Sequence, residues 1–138
     1  MFPQHLPDYV KVINPISITT LDNNNEEELS DAIDRQDYFS GVLAFIGEVT
    51  DEDDGFEVDV IVQESDESGG TYTEYEKETY EFDSTGDEFE TIDLDLKAAK
   101  RYIKIEIDGD TTDGVDASNT IDVAAVLTLG GAVDKPAE

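Results

Sequence analysis

Apolar residues stand at every second position through much of this chain, the spacing of strands that bury one face. Val58, Val60 and Val62 alternate with Asp59, Ile61 and Gln63; Ile92, Leu94 and Leu96 with Asp93 and Asp95; Ile103, Ile105 and Ile107 with Lys104 and Glu106. The longest such run is Ile121, Val123, Ala125, Leu127 and Leu129. Residues 41–49, GVLAFIGEV, are almost wholly apolar and read as a strand covered on both sides or lying at an interface. Residues 75–82 alternate more weakly and fit a half-buried or edge strand. Residues 9–13 and 16–21 are short strands parted by Asn14-Pro15.

Turn chemistry fills the gaps. Residues 51–55, 64–70, 83–87 and 108–118 are rich in Asp, Ser, Thr and Gly, and residues 97–100 form a tight connection. Residues 58–75 therefore read as a hairpin, with Ser68-Gly69-Gly70 giving the backbone its freedom to reverse. One segment carries a helical signature: Asn23-Asn24-Asn25 precede three glutamates, and Leu29, Ala32 and Ile33 keep helical spacing for a turn or two before Gln36. About eight strands, roughly eight to twelve residues apart, predict an all-β fold, an antiparallel β-sandwich that is jelly-roll-like or immunoglobulin-like. The expected layout is an N-terminal arm (1–14), one sandwich domain (15–132) and a short C-terminal tail (133–138).

Charge narrows the setting. Thirty-six Asp and Glu stand against eight Lys and Arg, a net charge of −28. The ordered apolar pattern argues against disorder. The acids sit on nearly every loop and on outward strand positions, which argues against nucleic-acid mimicry confined to one face. At about 1 M salt the Debye length shrinks to about 3 Å, so such a surface hardly repels itself, whereas in dilute buffer self-repulsion opposes the compact state. A halophilic setting is expected. The same charge argues against nucleic acid and anionic membranes as partners. Cysteine is absent, which removes disulfides and thiolate metal sites. No apolar run reaches the roughly 20 residues of a membrane helix, and the first residues lack the layout of a signal peptide.

Little here suits catalysis. His5 is the single histidine and lies in a proline-flanked segment, so no Ser-His or Cys-His triad can be assembled. Two-carboxylate glycoside chemistry lacks its usual aromatic platforms, since tryptophan is absent. The loop from Asp108 to Asp116 alternates acids as cation loops do. Counted as an EF-hand, however, it puts Asp113 where glycine is needed and Asn119 where the bidentate glutamate is needed. No catalytic residue, metal or cofactor is assigned, and the chain is expected not to be an enzyme. More suggestive are Lys97, Lys100, Arg101 and Lys104, half of the eight cations within eight residues. They either pair with carboxylates such as Glu106 or form a contact patch for an acidic partner.

Three stretches taken together, VDVIVQESDESGGTYTEY (58–75), KRYIKIEI (100–107) and VAAVLTLGGA (123–132), resemble the small β-sandwich capsid decoration and stabilising proteins of tailed phages and haloarchaeal tailed viruses. In that group a strand ending Gln-Glu-Ser leads into an acidic glycine-containing turn and an aromatic-bearing strand. A Lys-Arg-Tyr strand follows, and an Ala-Val-x-x-Leu-Gly strand closes the domain. The chain departs at Tyr72, where tryptophan is common, and at Lys104, where arginine is common. The resemblance implies a virion structural protein of a haloarchaeal tailed virus: a capsid decoration protein on the capsid exterior. Its partners would be the major capsid protein and copies of itself as a homo-oligomer, a trimer being one arrangement that fits. Two alternatives stay open. One is a tail, neck or turret component; the other is a carbohydrate-binding or adhesion sandwich presenting Tyr72, Tyr75 and Tyr80.

Overall fold

The computed structural model of the protein describes residues 10–22, 26–49, 56–82, 86–111 and 120–131. Nine strands run through them: β1 (Val10–Asp22), β2 (Glu26–Leu29), β3 (Ile33–Asp34), β4 (Ser40–Val49), β5 (Phe56–Ser65), β6 (Thr73–Phe82), β7 (Gly86–Asp95), β8 (Tyr102–Thr111) and β9 (Thr120–Gly130). One sheet has the order β1-β9-β4-β7. The other has the order β2-β8-β5-β6, with β3 also pairing to β8. All pairings are antiparallel.

Because β2 and β3 both pair with β8, they share one strand's place in the second sheet. Every connection between the eight strand positions then crosses from sheet to sheet, except the β5–β6 hairpin. That is the jelly-roll pattern, and it decides between the two sandwich types expected from the sequence.

The alternating residues meet between the sheets. Val58, Val60 and Val62 on β5, Ile103, Ile105 and Ile107 on β8, and the five apolar positions of β9 are all buried, with Leu43 and Phe45 of β4 and Ile92, Leu94 and Leu96. Burying this apolar surface is the main drive toward the fold. The β5–β6 hairpin forms as expected. Gly70 N donates to Glu67 O at 3.0 Å, and a Cβ on Gly70 would lie 2.8 Å from Ser65 Oγ.

Three expectations change. Residues 26–29 and 33–34 are strands, and no helix occurs among the described residues; Asn23–Asn25 lie outside them. A one- or two-turn helix is marginal in isolation. Here β8 offers a full ladder instead: Ser30 N donates to Ile105 O at 2.8 Å, and Ile105 N donates to Ser30 Oγ at 2.9 Å. Second, Asn14-Pro15 does not split β1; the strand absorbs it through register shifts on either side of Ile16. Proline is tolerated there because β1 is an edge strand. Third, Val10 to Ile13 pair with β9, so the sheet takes in residues assigned by the sequence to the arm.

Two further edges, β6 and β7, are guarded by charge. Glu78 on β6 is registered with buried Val60, and Glu90 on β7 with buried Phe45, so both carboxylates are carried on the core side of an edge strand. Inward charge of this kind discourages strand-to-strand pairing between molecules.

Candidate interaction surface

The four cations singled out in the sequence lie in and beside the β7–β8 turn, and most are occupied. Arg101 grips Asp34 of β3 through Nε to Oδ1 at 3.1 Å and Nη2 to Oδ2 at 2.9 Å. That hydrogen bonding holds the Asp34 carboxyl below the usual aspartate range. Lys100 Nζ lies 3.8 Å from Asp66. Lys104 Nζ sits 4.5 Å from the centre of the Tyr72 ring, so the two departures from the resembled group stand against each other as a cation–π pair. Lys97 makes no ion pair among the described residues; its backbone N–H donates to Asp95 Oδ1 at 3.1 Å.

Glu106, the anticipated carboxylate partner, pairs with none of them. Arg35 joins the group unannounced by its sequence position. Its guanidinium straps the β7–β8 turn by donating to the carbonyls of Lys100 at 2.8 Å, Tyr38 at 3.2 Å and Ala99. Only the pairing of β3 with β8 brings Arg35 there.

Glu106 belongs instead to an acidic group on the outward face of the five-stranded sheet. Glu27, Glu106 and Asp108 place carboxylate oxygens within 4.8 Å of one another. The register explains this, since Glu27 is the direct partner of Asp108 and Leu29 of Glu106. Burial, and then the hydrogen bond with Asp108, push the Glu106 carboxyl up to about 7. Gln63 Nε2 donates to it at 2.6 Å. Such a trio could ligate a hard cation, or share a proton between Glu106 and Asp108. The sequence concealed it because its members lie on two strands and acids surround them everywhere.

The outward face of the four-stranded sheet is different in kind. Val42, Ala44 and Ile46 of β4 lie beside Thr128, Val126 and Ala124 of β9 on one side, and Asp93, Thr91 and Phe89 of β7 on the other. Val12 of β1 continues the row of Thr128, and Ile18 projects from the bulged part of β1. The large apolar residues of this face, Val12, Ile18, Val42, Ile46, Phe89 and Val126, are between 41% and 82% exposed. Exposed apolar residues gathered on one face are candidates for an interaction surface. This face also resolves the reading of residues 41–49: Leu43 and Phe45 face the core, while Val42 and Ile46 are uncovered in a single copy. A shallow hollow of about 320 Å³ opens beside Val42, Thr128 and Asp93, and Asp93 is the one charged residue lining it.

The tyrosines considered for glycan stacking are otherwise engaged. Tyr80 stacks on Phe45 with ring centres 5.8 Å apart. The Tyr75 hydroxyl donates to the Asp95 carbonyl, and the Tyr72 hydroxyl to the Ser68 carbonyl at 2.8 Å.

Strand order and connections thus define a jelly-roll β-sandwich. No protein-family model and no curated protein matches the chain in sequence. Solved structures do share its fold. A structure of infectious bursal disease virus, Gx strain, superposes with a TM-score of 0.60 at 11% identity, over 92% of this chain and 33% of that one. The PBSX exported protein XepA gives 0.57 at 14% identity, over 99% of this chain and 42% of that one. A CBM4 domain gives 0.54 at 11%, over 87% and 86% of the two chains. The chain therefore spans between a third and about two fifths of the first two, and at such identities the likeness is one of fold.

Proposed function

We propose that this protein is a structural component of the virion of a haloarchaeal tailed virus, a capsid decoration protein attached to the exterior of the major capsid lattice. The observation that carries this reading is the row of exposed apolar residues Val12, Ile18, Val42, Ile46, Phe89 and Val126 on a jelly roll of net charge −28. A shell component works by contact, and this surface is built for contact rather than for transforming a ligand. The fold it shares with a structure of infectious bursal disease virus and with the PBSX exported protein XepA supports the reading, as do the three sequence stretches resembling decoration proteins.

The end holding Arg35, Lys97 and Lys100 is suited to lie against an acidic lattice. Val10 pairs with Gly130, so β1 begins and β9 ends side by side; Ser40 pairs with both Gly130 and Asp95, which puts them at that same end. The two terminal segments, proposed as arm and tail, would leave from there.

Quantitative mass spectrometry of purified particles tests the proposal. A copy number in fixed ratio to the major capsid protein is expected. A handful of copies per particle would reassign the chain to a tail, neck or turret, and absence from particles would refute a virion role. On the particle, Lys97→Glu with Lys100→Glu should lower occupancy relative to the unchanged chain.

A further inference from the structure

We infer that the hollow beside Val42, Thr128 and Asp93 is the seat of the chain's own C-terminal segment. Residues 132–135 cross it as an extended strap, with Val133 set against Val42 and Thr128 and Lys135 against Asp93. Those four residues lie outside the described ones and follow directly on the last of them, Gly131. The described chain delivers them to the rim. β9 ends at Gly130, whose carbonyl accepts from Ser40 Oγ at 3.2 Å and from Phe39 N at 3.3 Å. Gly131 then takes a φ of 76°, a left-handed conformation that turns the chain out of the strand's line. A Cβ on Gly131 would lie 3.1 Å from Ser40 Oγ. Ser40 shares the outward set of Val42 and Ile46, and it lines the hollow. The turn therefore carries the chain past the outward side of β4.

The segment suits what it meets. In extended backbone, alternate side chains point the same way, so Val133 and Lys135 share one side and Asp134 faces the other, toward solvent. Pro136 favours that extended backbone at Lys135. The hollow offers Val10, Val42, Leu94 and Leu129 as apolar lining and Asp93 as its one charge. Asp93 makes no ion pair among the described residues. An apolar side chain followed two positions later by a cation matches such a lining. The distance closes as well: Asp93 lies one strand across and two residues along from Ser40, about 8 Å away, and four extended residues span about 13 Å.

Residues 1–9 also join beside the hollow, at Val10, yet β1 is in register with β9 from Val10 itself, with no turn toward the face. The strap covers the Val42 corner and leaves Ile18, Ile46, Phe89 and Val126 exposed. A neighbour that seeks this corner must first displace it. The contact concerns the free chain and goes beyond the virion reading, so failure of either leaves the other standing.

Because the chain has no cysteine, paired substitutions report the contact directly. A disulfide needs Cα atoms within about 7 Å. In molar KCl under mild oxidation, Val133→Cys with Val42→Cys should close within one molecule at least tenfold faster than Val133→Cys with Lys11→Cys. Lys11 is the fair control: it is exposed, and its partner Leu129 is nearer to Gly131 than Thr128, the partner of Val42. A segment without preference would find it at least as often. Gly131→Ala, which puts a side chain at that φ and against Ser40 Oγ, should bring the two rates together. Circular dichroism checks that each variant folds. A second readout needs no cysteine: Val133→Asp should move the amide NMR signals of Val42, Asp93 and Thr128 and leave that of Leu29, on the opposite sheet, in place. Equal rates at positions 42 and 11, a disulfide between molecules, faster closure of Leu6→Cys with Val42→Cys, or unmoved signals in Val133→Asp would each overturn the proposal.

Discussion

Replacing Glu106 by glutamine tests whether the outward face of the five-stranded sheet stores a pH-dependent cost. In the fold this carboxyl is lifted from its ordinary 4.5 to about 7 by burial and by its neighbour Asp108. A raised acid means that the folded state holds its proton more tightly than the unfolded chain does. The resulting stability is fully present below about pH 4.5 and is lost as pH rises through about 7. At about 1.4 kcal/mol for each tenfold change in proton affinity, the ceiling is about 3 kcal/mol. Glu106 keeps part of its surface in water, so solvent screening leaves an expected share of about 1–2 kcal/mol.

Glutamine keeps the shape and cannot ionise, and Gln63 can turn its amide to present a carbonyl in place of the N–H it now donates. Urea unfolding in molar KCl, near pH 5 and near pH 8, measures the effect without changing ionic strength. The unchanged chain should lose about 1–2 kcal/mol more between the two conditions than Glu106→Gln does. Identical pH dependence in both proteins would refute the reasoning. So would a larger loss in the variant.

Three further outcomes follow from the packing. Phe45→Ala removes a fully buried ring stacked on Tyr80 and should cost about 3–5 kcal/mol by urea midpoint at constant slope. Gly70→Ala should destabilise by about 1–2 kcal/mol, because its Cβ would meet Ser65 Oγ at 2.8 Å, whereas Gly69→Ala has open space and should stay within about 0.5 kcal/mol of the unchanged chain. Arg101→Gln should let the Asp34 carboxyl rise toward 3.8, followed by carboxyl NMR; the small stability that the pair adds above that pH, and loses on acidification, should go with it.

Much of the architecture was legible because burial writes itself at period two. The inward faces of β5, β8 and β9 could be named residue by residue, since each apolar side chain there meets the opposite sheet. The register of distant strands leaves no such mark. Glu26–Leu29 carries a good local helix signature, and only the waiting ladder of β8 turns it into strand. The same blindness hid Arg35 and the Glu27–Glu106–Asp108 group, whose members become neighbours through pairings made across long stretches of chain. The basic cluster was visible because it is contiguous, yet the ion pairs to Asp34 and Asp66 that neutralise half of it were not.

The outward face of the four-stranded sheet lies between these cases. A run such as GVLAFIGEV announces that both sides of a strand are apolar, and within one molecule only one of those sides can be core. On an ordinary surface a few exposed valines would be unremarkable, since apolar atoms cover more than half of any folded protein. Here the contrast with the rest of the chain gives them meaning. A chain with 36 acids that sets Glu48, Asp93, Asp95 and Asp122 around this face, yet none at Val42, Ala44, Ile46, Ala124 and Val126, keeps an apolar centre within an acidic border. On the virion reading proposed above, a neighbour would cover that centre, and molar salt would strengthen the contact.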